Sequence, residues 1–219
     1  QLQDAVPMTL GQEFKTFAVM IDDDIYRLRN VQALLKEVNL GATAIGTGIN
    51  TKASYQRKVI SNLREVTGVD YISAGDLIEA TQDTGSFVHI SGMLKSVAIK
   101  ISKICNDLRL LSSGPRAGFN EINLPPMQPG SSIMPGKVNP VIPEVVNQVA
   151  FEVIGADMTI AMASEGGQLQ LNVFEPLIAY KLFTSINMMR RAFYSLGEKC
   201  IKGITANEDV CMENILNSV

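Results

Sequence analysis

An unbroken helical pattern in the middle of the chain limits what this sequence can fold into. Between Phe87 and Leu111 the apolar residues recur at alternating steps of three and four, at Phe87, Ile90, Leu94, Val97, Ile101, Ile104, Leu108 and Leu111. Such spacing places one apolar stripe along a single helix, as in the seam of a coiled coil. A helix from Asp83 to Leu111 has about 29 residues and a length of about 44 Å. We therefore expect a rod-shaped helical bundle.

The same spacing predicts most of the remaining elements. The other predicted helices are 10–38, 55–66, one from about Asp76, one from Pro143, one from about Pro176 and a short last one after Asn207. Thr9 and Gln12 have the spacing of a capping box in front of the first of these helices. Because no segment shows strand periodicity, the sequence predicts an all-α fold, an elongated bundle of about five long helices.

The segment that follows position 38 is rich in glycine. Gly41, Gly46 and Gly48 lie within eight residues of one another. No strand precedes them, and neither the dinucleotide-binding spacing nor a terminal Gly-Lys-Ser/Thr is present. A helix C-cap followed by a tight turn is therefore the favoured interpretation, rather than a phosphate-binding loop.

The helix expected from Pro143 is apolar on nearly all sides, from Val145 to Met162. Pro143 itself suits the first turn, where its missing N–H donor is not needed. Long helices with more apolar surface than one thin bundle can hide indicate association with further copies. We therefore expect the chain to contribute to a multi-subunit helical core.

Charge and hydropathy exclude several classes of partner. The formal net charge is −3 and the basic residues form no stripe, so nucleic acid is not an expected partner. No apolar run reaches the length of a membrane span, since Asp157 interrupts the most apolar segment, and no signal sequence opens the chain. The sequence thus predicts a cytoplasmic protein that does not bind membranes.

Cysteine and histidine residues offer no metal site. Cys105, Cys200 and Cys211 are not clustered with one another, and their odd number is not typical of a disulfide framework, so we expect reduced, packed thiols. His89 is the only histidine and has no second ligand at metal-binding spacing. Neither a metal nor a cofactor is expected.

The loop from Gly130 to Pro140 carries the most chemistry, with the sequence GSSIMPGKVNP. A proton on carbon next to a carboxylate is removed by a base, and positive charge or N–H donors must stabilise the developing negative charge. Ser131 or Ser132 can be that base if backbone donors and a nearby ammonium make its hydroxyl acidic. Lys137 is the natural counter-ion, and Asn139 either donates to the same carboxylate or simply forms an Asn-Pro turn.

As a whole, this loop resembles the signature loop of the fumarase/aspartase superfamily, whose members add or eliminate an amine or hydroxyl across the double bond of fumarate. The resemblance implies that Ser131 abstracts the proton, with Ser132 beside it, that Lys137 and Asn139 bind substrate and that Met134 faces it. It also implies anti elimination without a cofactor, in a homotetramer whose active sites each draw on three chains. Further motifs of the family are residues 1–7, 114–118 and 170–173.

Within that superfamily, three segments are most similar to the aspartases, which convert L-aspartate reversibly to fumarate and ammonia. These segments are 2–4, 38–43 and 120–125. Residues 1–219 resemble the central helical domain, and the family's N-terminal and C-terminal domains are not in this chain. The sequence begins with Gln1 rather than methionine and stops after a helical pattern at Val219, so we expect a fragment. Alone, it is expected to be inactive.

One residue departs from the pattern of the fumarases. They have a histidine at the position of Gln1, paired with the glutamate that corresponds to Glu144, whereas aspartases have either residue there. Gln1 is assigned to substrate binding, and Glu144 either supports the site or stabilises its helix N-terminus through the dipole. The proton donor to the leaving amine has no candidate. The alternatives are a class II fumarase and a structural helical module, as some crystallin relatives of this superfamily are.

Overall fold

The computed structural model describes residues 2–218, and most of them lie in helices. The six α-helices are α1 (Leu10–Val31), α2 (Tyr55–Thr67), α3 (Gly85–Leu111), α4 (Val141–Glu165), α5 (Glu175–Lys199) and α6 (Glu208–Asn217). Four of them, α1, α3, α4 and α5, have between 22 and 27 residues. Strands are limited to four pieces of two residues each, so the predicted all-α class is confirmed.

The first helix begins where the sequence places it and ends earlier. The backbone N–H of Thr9 donates to Gln12 Oε1 at 2.8 Å, and the N–H of Gln12 donates to Thr9 Oγ1 at 3.1 Å, so the capping box is confirmed. The prediction that this helix runs to residue 38 is wrong. It ends at Val31, and a 3-10 helix (Gln32–Leu35) and strand β1 (Glu37–Val38) follow.

The early end of α1 has a tertiary cause. Strand β1 pairs in parallel with β2 (Ile72–Ser73), where the N–H of Ile72 donates to the carbonyl of Lys36 and the N–H of Ala74 to that of Val38. These bonds hold the backbone extended although the apolar spacing still suits a helix. The glycines after β1 form the predicted tight turn but not a helix C-cap, since a strand precedes them.

Gly46 shows why that turn needs glycine. Its φ is +99°, and a Cβ there would lie 2.4 Å from the carbonyl oxygen of Leu77.

The prediction of a helix from about Asp76 is also wrong, because only a 3-10 helix (Glu79–Thr81) forms there. Asp76 Oδ1 accepts the N–H groups of Ile78 and Glu79 at 2.8 and 3.1 Å, which caps this short turn.

By packing, the chain divides into two compact units. The first contains residues up to 23, residues 96–154 and those from 186 onward, and the second contains residues 24–95 and 155–185. The first unit has an apolar core formed by Phe17, Ile101, Ile104, Cys105, Leu108, Ile122, Val146, Ala192, Leu196 and Cys200. Residues of α1, α3, α4 and α5 meet in this core, together with Ile122 of strand β3 (Ile122–Asn123), which lies in the connection to α4.

A buried polar network lies beside this core in the first unit. The Nδ2 of Asn147 donates to Ser102 Oγ at 2.8 Å, to the Ser102 carbonyl at 3.0 Å and to Asn106 Oδ1 at 3.0 Å. Its Oδ1 accepts from Arg109 at 3.3 Å. Asn147 is only 3% exposed, so these bonds compensate its removal from water. One side chain of α4 thus contacts three residues of α3.

The second unit has its own polar contacts between α3 and α4. Asp157 accepts a hydrogen bond from Ser91 Oγ at 2.8 Å and forms an ion pair with Lys95. Just before α3 begins, Thr84 Oγ1 lies 2.6 Å from Ser164 Oγ of α4. The Asp157 that interrupts the apolar pattern of α4 is therefore charge-compensated inside this unit.

Helix α4 also has an exposed apolar face. Phe151, Met158 and Met162 are between 61% and 67% exposed, although the sequence predicts burial on most sides of this helix. By length and composition α4 is also apolar enough to cross a membrane, with mean hydropathy 1.3 over 18 residues, 39% of them buried. A core helix passes the same test, and Val146, Ala150, Val153 and Ile160 of α4 are at most 2% exposed. Helix α4 thus has the character of a core helix with one uncovered apolar side.

Candidate active site

The signature loop lies in the long connection between α3 and α4. This connection is fastened at β3, which pairs antiparallel with β4 (Thr205–Ala206). Asn207, which follows β4, donates its N–H to the carbonyl of Glu121 at 2.9 Å and its side-chain amide to the carbonyl of Asn120 at 2.7 Å. At the other end, the connection enters α4 at Val141. Within the first unit, the connection is therefore anchored at β3 before the loop and at α4 after it.

Backbone hydrogen bonds close the loop itself. The N–H of Ser131 donates to the carbonyl of Lys137 at 3.3 Å, that of Met134 to the carbonyl of Ser131 at 3.3 Å, and that of Lys137 to the carbonyl of Met134 at 3.2 Å. The two residues with the clearest predicted roles, Ser131 and Lys137, are thus joined directly through their main chains. The spacing of Ser131 and Lys137 in the sequence does not by itself require their backbones to lie close together.

The predicted site residues of the loop differ in their exposure to solvent. Ser131 is half-buried, whereas Ser132, Met134, Lys137 and Asn139 are exposed. The Ser131 hydroxyl oxygen accepts the N–H of Ile133 at 3.4 Å, a long hydrogen bond that favours negative charge on that oxygen. Among residues 2–218, no hydrogen bond joins the side chains of Ser131 and Lys137, and the Lys137 side chain is exposed.

Asn139 and Glu144 lie where the loop becomes helix α4. The carbonyl of Asn139 accepts the N–H of Val141 at 2.9 Å, which is the turn expected of an Asn-Pro pair, and its side chain remains exposed. Glu144 lies half-buried in the first turn of α4, where the helix dipole favours a negative charge. Gln1 lies outside the described residues.

Two residues that shape this region have no assigned role in the sequence analysis. Gly130 packs against the backbone of Lys137, and Asn147 fixes α4 against α3 two turns or less after the loop. The signal for Asn147 is an uncharged polar residue in an otherwise apolar stretch. For Gly130 the sequence offers only a glycine beside two serines, which is common in solvated turns.

The cysteines are packed rather than reactive, as expected for Cys105 and Cys200. Both are free and buried, and burial raises the pKa of Cys105 to about 12 and that of Cys200 to about 11. The neighbouring Cys200 raises the pKa of Cys105 further, and Arg109 partly opposes this. Cys211 is half-buried, and burial also raises its pKa. A thiolate nucleophile is therefore not available from these residues at neutral pH.

Alkylation tests this directly. At pH 8 both buried thiols remain protonated, since their pKa values lie near 12 and 11, and we expect iodoacetamide to leave Cys105 and Cys200 unmodified in the folded full-length protein. Unfolding in guanidinium chloride at the same pH should expose both to rapid labelling, which mass spectrometry of tryptic peptides would detect. Labelling of either residue without denaturant would contradict the packing described here.

The polar groups outside the loop suggest no competing centre. Among residues 2–218 no three His, Cys, Asp or Glu side chains are placed to hold a metal ion, and His89 is exposed. A cavity of about 670 Å³ lies in the first unit between residues 4–10 and α6. Its lining includes Lys103, Asp107 and Glu121 but no residue of the signature loop. We therefore treat the loop, and not this cavity, as the candidate site.

Comparison with known proteins agrees with the fold and the loop. A sequence model of a family described as lyase matches residues 1–155. The aspartate ammonia-lyase of Helicobacter pylori is 63% identical over 219 residues, which are 100% of this chain and 47% of that protein. A fumarate lyase:delta crystallin structure from Brucella melitensis superposes with a TM-score of 0.95 at 57% identity, over 97% of this chain and 46% of that one.

A class II fumarase structure from Schistosoma mansoni has a similar fold and a more distant sequence. Its TM-score is 0.93 at 31% identity, over 97% of this chain and 47% of that one. The fold and loop thus define a helical protein of the lyase type. The chain belongs to this lyase family, the fumarase/aspartase superfamily, and spans about half the length of the relatives it matches.

Proposed function

We propose that the full-length protein is an aspartate ammonia-lyase, which converts L-aspartate reversibly to fumarate and ammonia, and that this chain is its central helical domain. The observation that carries the proposal is the closed loop, in which Ser131 and Lys137 are joined through their backbones. The relatives support the substrate, because identity to the aspartate ammonia-lyase of H. pylori is 63% and identity to the class II fumarase structure is 31%.

Each loop residue has a distinct part in this mechanism. The Ser131 oxygen, as alkoxide, takes a proton from Cβ of aspartate, and the electrons of the broken C–H bond pass into the adjacent carboxylate. The N–H of Ile133 stabilises the alkoxide, at 3.4 Å from Ser131 Oγ. Lys137 and Asn139 stabilise the doubly charged carboxylate by charge and hydrogen bonding. When the electron pair returns from this carboxylate, the C=C bond forms between Cα and Cβ. The C–N bond at Cα breaks at the same time and releases ammonia.

The remaining residues of the proposed site have supporting parts in this proposal. Met134 is exposed and would offer the substrate an apolar surface, Ser132 is exposed beside Ser131 in the sequence, and Glu144 is half-buried in the first turn of α4. Gln1 is assigned to substrate binding in this proposal, and a neutral amide cannot act as the acid or base that would activate water. The chemistry needs no cofactor, because the substrate carboxylate itself accepts the electrons.

The distinction between deamination and hydration is testable with two substrates. We expect the full-length protein to have a kcat/KM for L-aspartate at least about a hundredfold higher than for L-malate, since acceptors that hold an ammonium are left unpaired by a hydroxyl. Fumarate formation followed at 240 nm measures both reactions. A higher value for malate would favour the class II fumarase, and absence of both activities would favour a structural helical module.

We further propose a cytoplasmic homotetramer whose sites each draw on three chains. The exposed apolar face of α4 supports association with other copies, because residues such as Phe151 and Met158 are costly to leave in water. Helix α5 adds Tyr180, Phe183 and Tyr194, each more than 60% exposed. Sedimentation equilibrium of the full-length protein would establish the number of subunits.

A further inference from the structure

Gly130 is in closer contact with Lys137 than any side chain would allow. A Cβ placed on Gly130 would lie 2.5 Å from the carbonyl oxygen of Lys137, 3.1 Å from its carbonyl carbon and 3.4 Å from its nitrogen. Real Cβ atoms do not approach backbone atoms to 2.5 Å, and backbone can yield only by moving the chain. The absence of a side chain at position 130 therefore permits the observed short distance between the backbones of Gly130 and Lys137.

The same carbonyl group takes part in the bond that closes the loop. The N–H of Ser131, the next residue, donates to Lys137 O at 3.3 Å. With a methyl group at position 130, Lys137 O would have to retreat by about 0.9 Å to reach an ordinary contact of 3.4 Å. A hydrogen bond already at 3.3 Å does not survive such a displacement. The position of the Ser131 backbone relative to the Lys137 backbone is thus set at Gly130.

We propose that Gly130 is a positioning residue, which fixes the distance between the proton-abstracting Ser131 and the carboxylate-binding Lys137 through its contact with the Lys137 carbonyl. This inference rests on the proposed function, in which both residues act on one substrate. Gly130 itself contacts no reacting atom. A misplacement of about 1 Å can lower a rate about a hundredfold, so the contact matters for catalysis beyond any effect on folding.

The test is Gly130→Ala in the full-length protein, compared with wild type. We expect kcat for L-aspartate to fall between about tenfold and a hundredfold. Binding of succinate, a dicarboxylate without a leaving group, should weaken about tenfold by isothermal titration calorimetry, because Lys137 has moved. The melting temperature should change by less than about 2 °C, since the loop is exposed.

Gly75→Ala is the matched control. Gly75 is exposed, a Cβ there meets nothing within 4 Å, and its φ is not in the left-handed region. The same chemical change should leave kcat and succinate affinity as in wild type.

Two double variants separate positioning from a general loosening of the fold. In a Lys137→Ala background, which keeps the carbonyl but removes the ammonium, Gly130→Ala should no longer weaken succinate binding. In a Ser131→Ala background it should no longer lower kcat. Additive losses in both backgrounds would overturn the proposal, as would a lower melting temperature with kcat and affinity unchanged.

The outcomes also distinguish the inference from the proposed function. A wild-type protein that turns over neither aspartate nor malate defeats the proposed function and the inference with it. An active wild type whose Gly130→Ala variant has normal kcat and succinate affinity defeats the inference alone.

Discussion

Ser131→Ala in the full-length protein is expected to lower kcat for L-aspartate by at least about a thousandfold, within the range of about 10²–10⁴ for loss of a general base. The Ser131 oxygen is the one hydroxyl of the loop that receives a backbone N–H, at 3.4 Å from Ile133, among the described residues. Because alanine fills nearly the same space, stability should change by less than about 1 kcal/mol. Steady-state kinetics at saturating aspartate and thermal unfolding measure the two effects.

Ser132→Ala is the natural control for that experiment. The two serines are adjacent, but Ser132 is exposed and Ser131 is half-buried. We expect Ser132→Ala to change kcat less than about tenfold. If instead Ser132→Ala lost activity and Ser131→Ala retained it, the assignment of the base would be wrong by one position.

The 219-residue chain on its own is expected to have no measurable lyase activity, which corresponds to a loss of at least about 10⁴ relative to the full-length protein. If each active site draws on three chains, as the resemblance implies, groups that orient the substrate are missing from a single isolated chain. Here the described loop residues other than Ser131 and Pro140 are exposed, and no loop residue lines the cavity of the first unit. Without orientation, a correctly placed base and ammonium do little.

Three proteins should be assayed in parallel at 240 nm: the isolated chain, the full-length protein and its Ser131→Ala variant. Circular dichroism of the isolated chain would confirm that it is helical before its activity is interpreted. Turnover within about tenfold of the full-length protein would show that the loop and its own domain suffice, contrary to this expectation.

Helical periodicity predicted the long helices because their apolar stripes are also their buried faces. Helix α3 begins within two residues of the predicted Asp83 and ends at Leu111 as predicted. Helices α2, α4, α5 and α6 likewise begin close to their predicted starts. In these segments local spacing and tertiary packing require the same conformation, so the sequence alone is sufficient.

The helix predictions fail where contacts between residues distant in sequence determine the backbone conformation. Residues 36–38 are held extended by residues 72–74, and no local signal in the sequence identifies Ser73, 35 positions away, as the strand partner of Val38. Near Asp76 the carboxylate caps a single short turn, and the close approach of Gly46 to Ile78 fixes the chain there. Two-residue strands are too short to show a period.

In the candidate site, too, some features can be predicted from the sequence and others depend on the folded structure. Residue types and their resemblance to a known loop were enough to select Ser131, Lys137 and Asn139, and their roles stay predictions. The pairing of Ser131 with Lys137 through the backbone, and its dependence on Gly130, follow from a folded loop geometry that residue types do not encode.

Asn147 has a consequence for how precisely α4, the helix that follows the signature loop, is aligned. Apolar faces of two helices can pack in several registers of similar free energy, because one leucine or valine substitutes for another after a turn. The Asn147 amide reaches Ser102, Asn106 and Arg109 together in only one register. A shift of α4 by one turn, about 5.4 Å, would leave these buried groups without partners. Asn147 thus fixes the register in which α4 packs along α3. The first turn of α4, which follows the signature loop, is therefore held in a single axial position relative to α3.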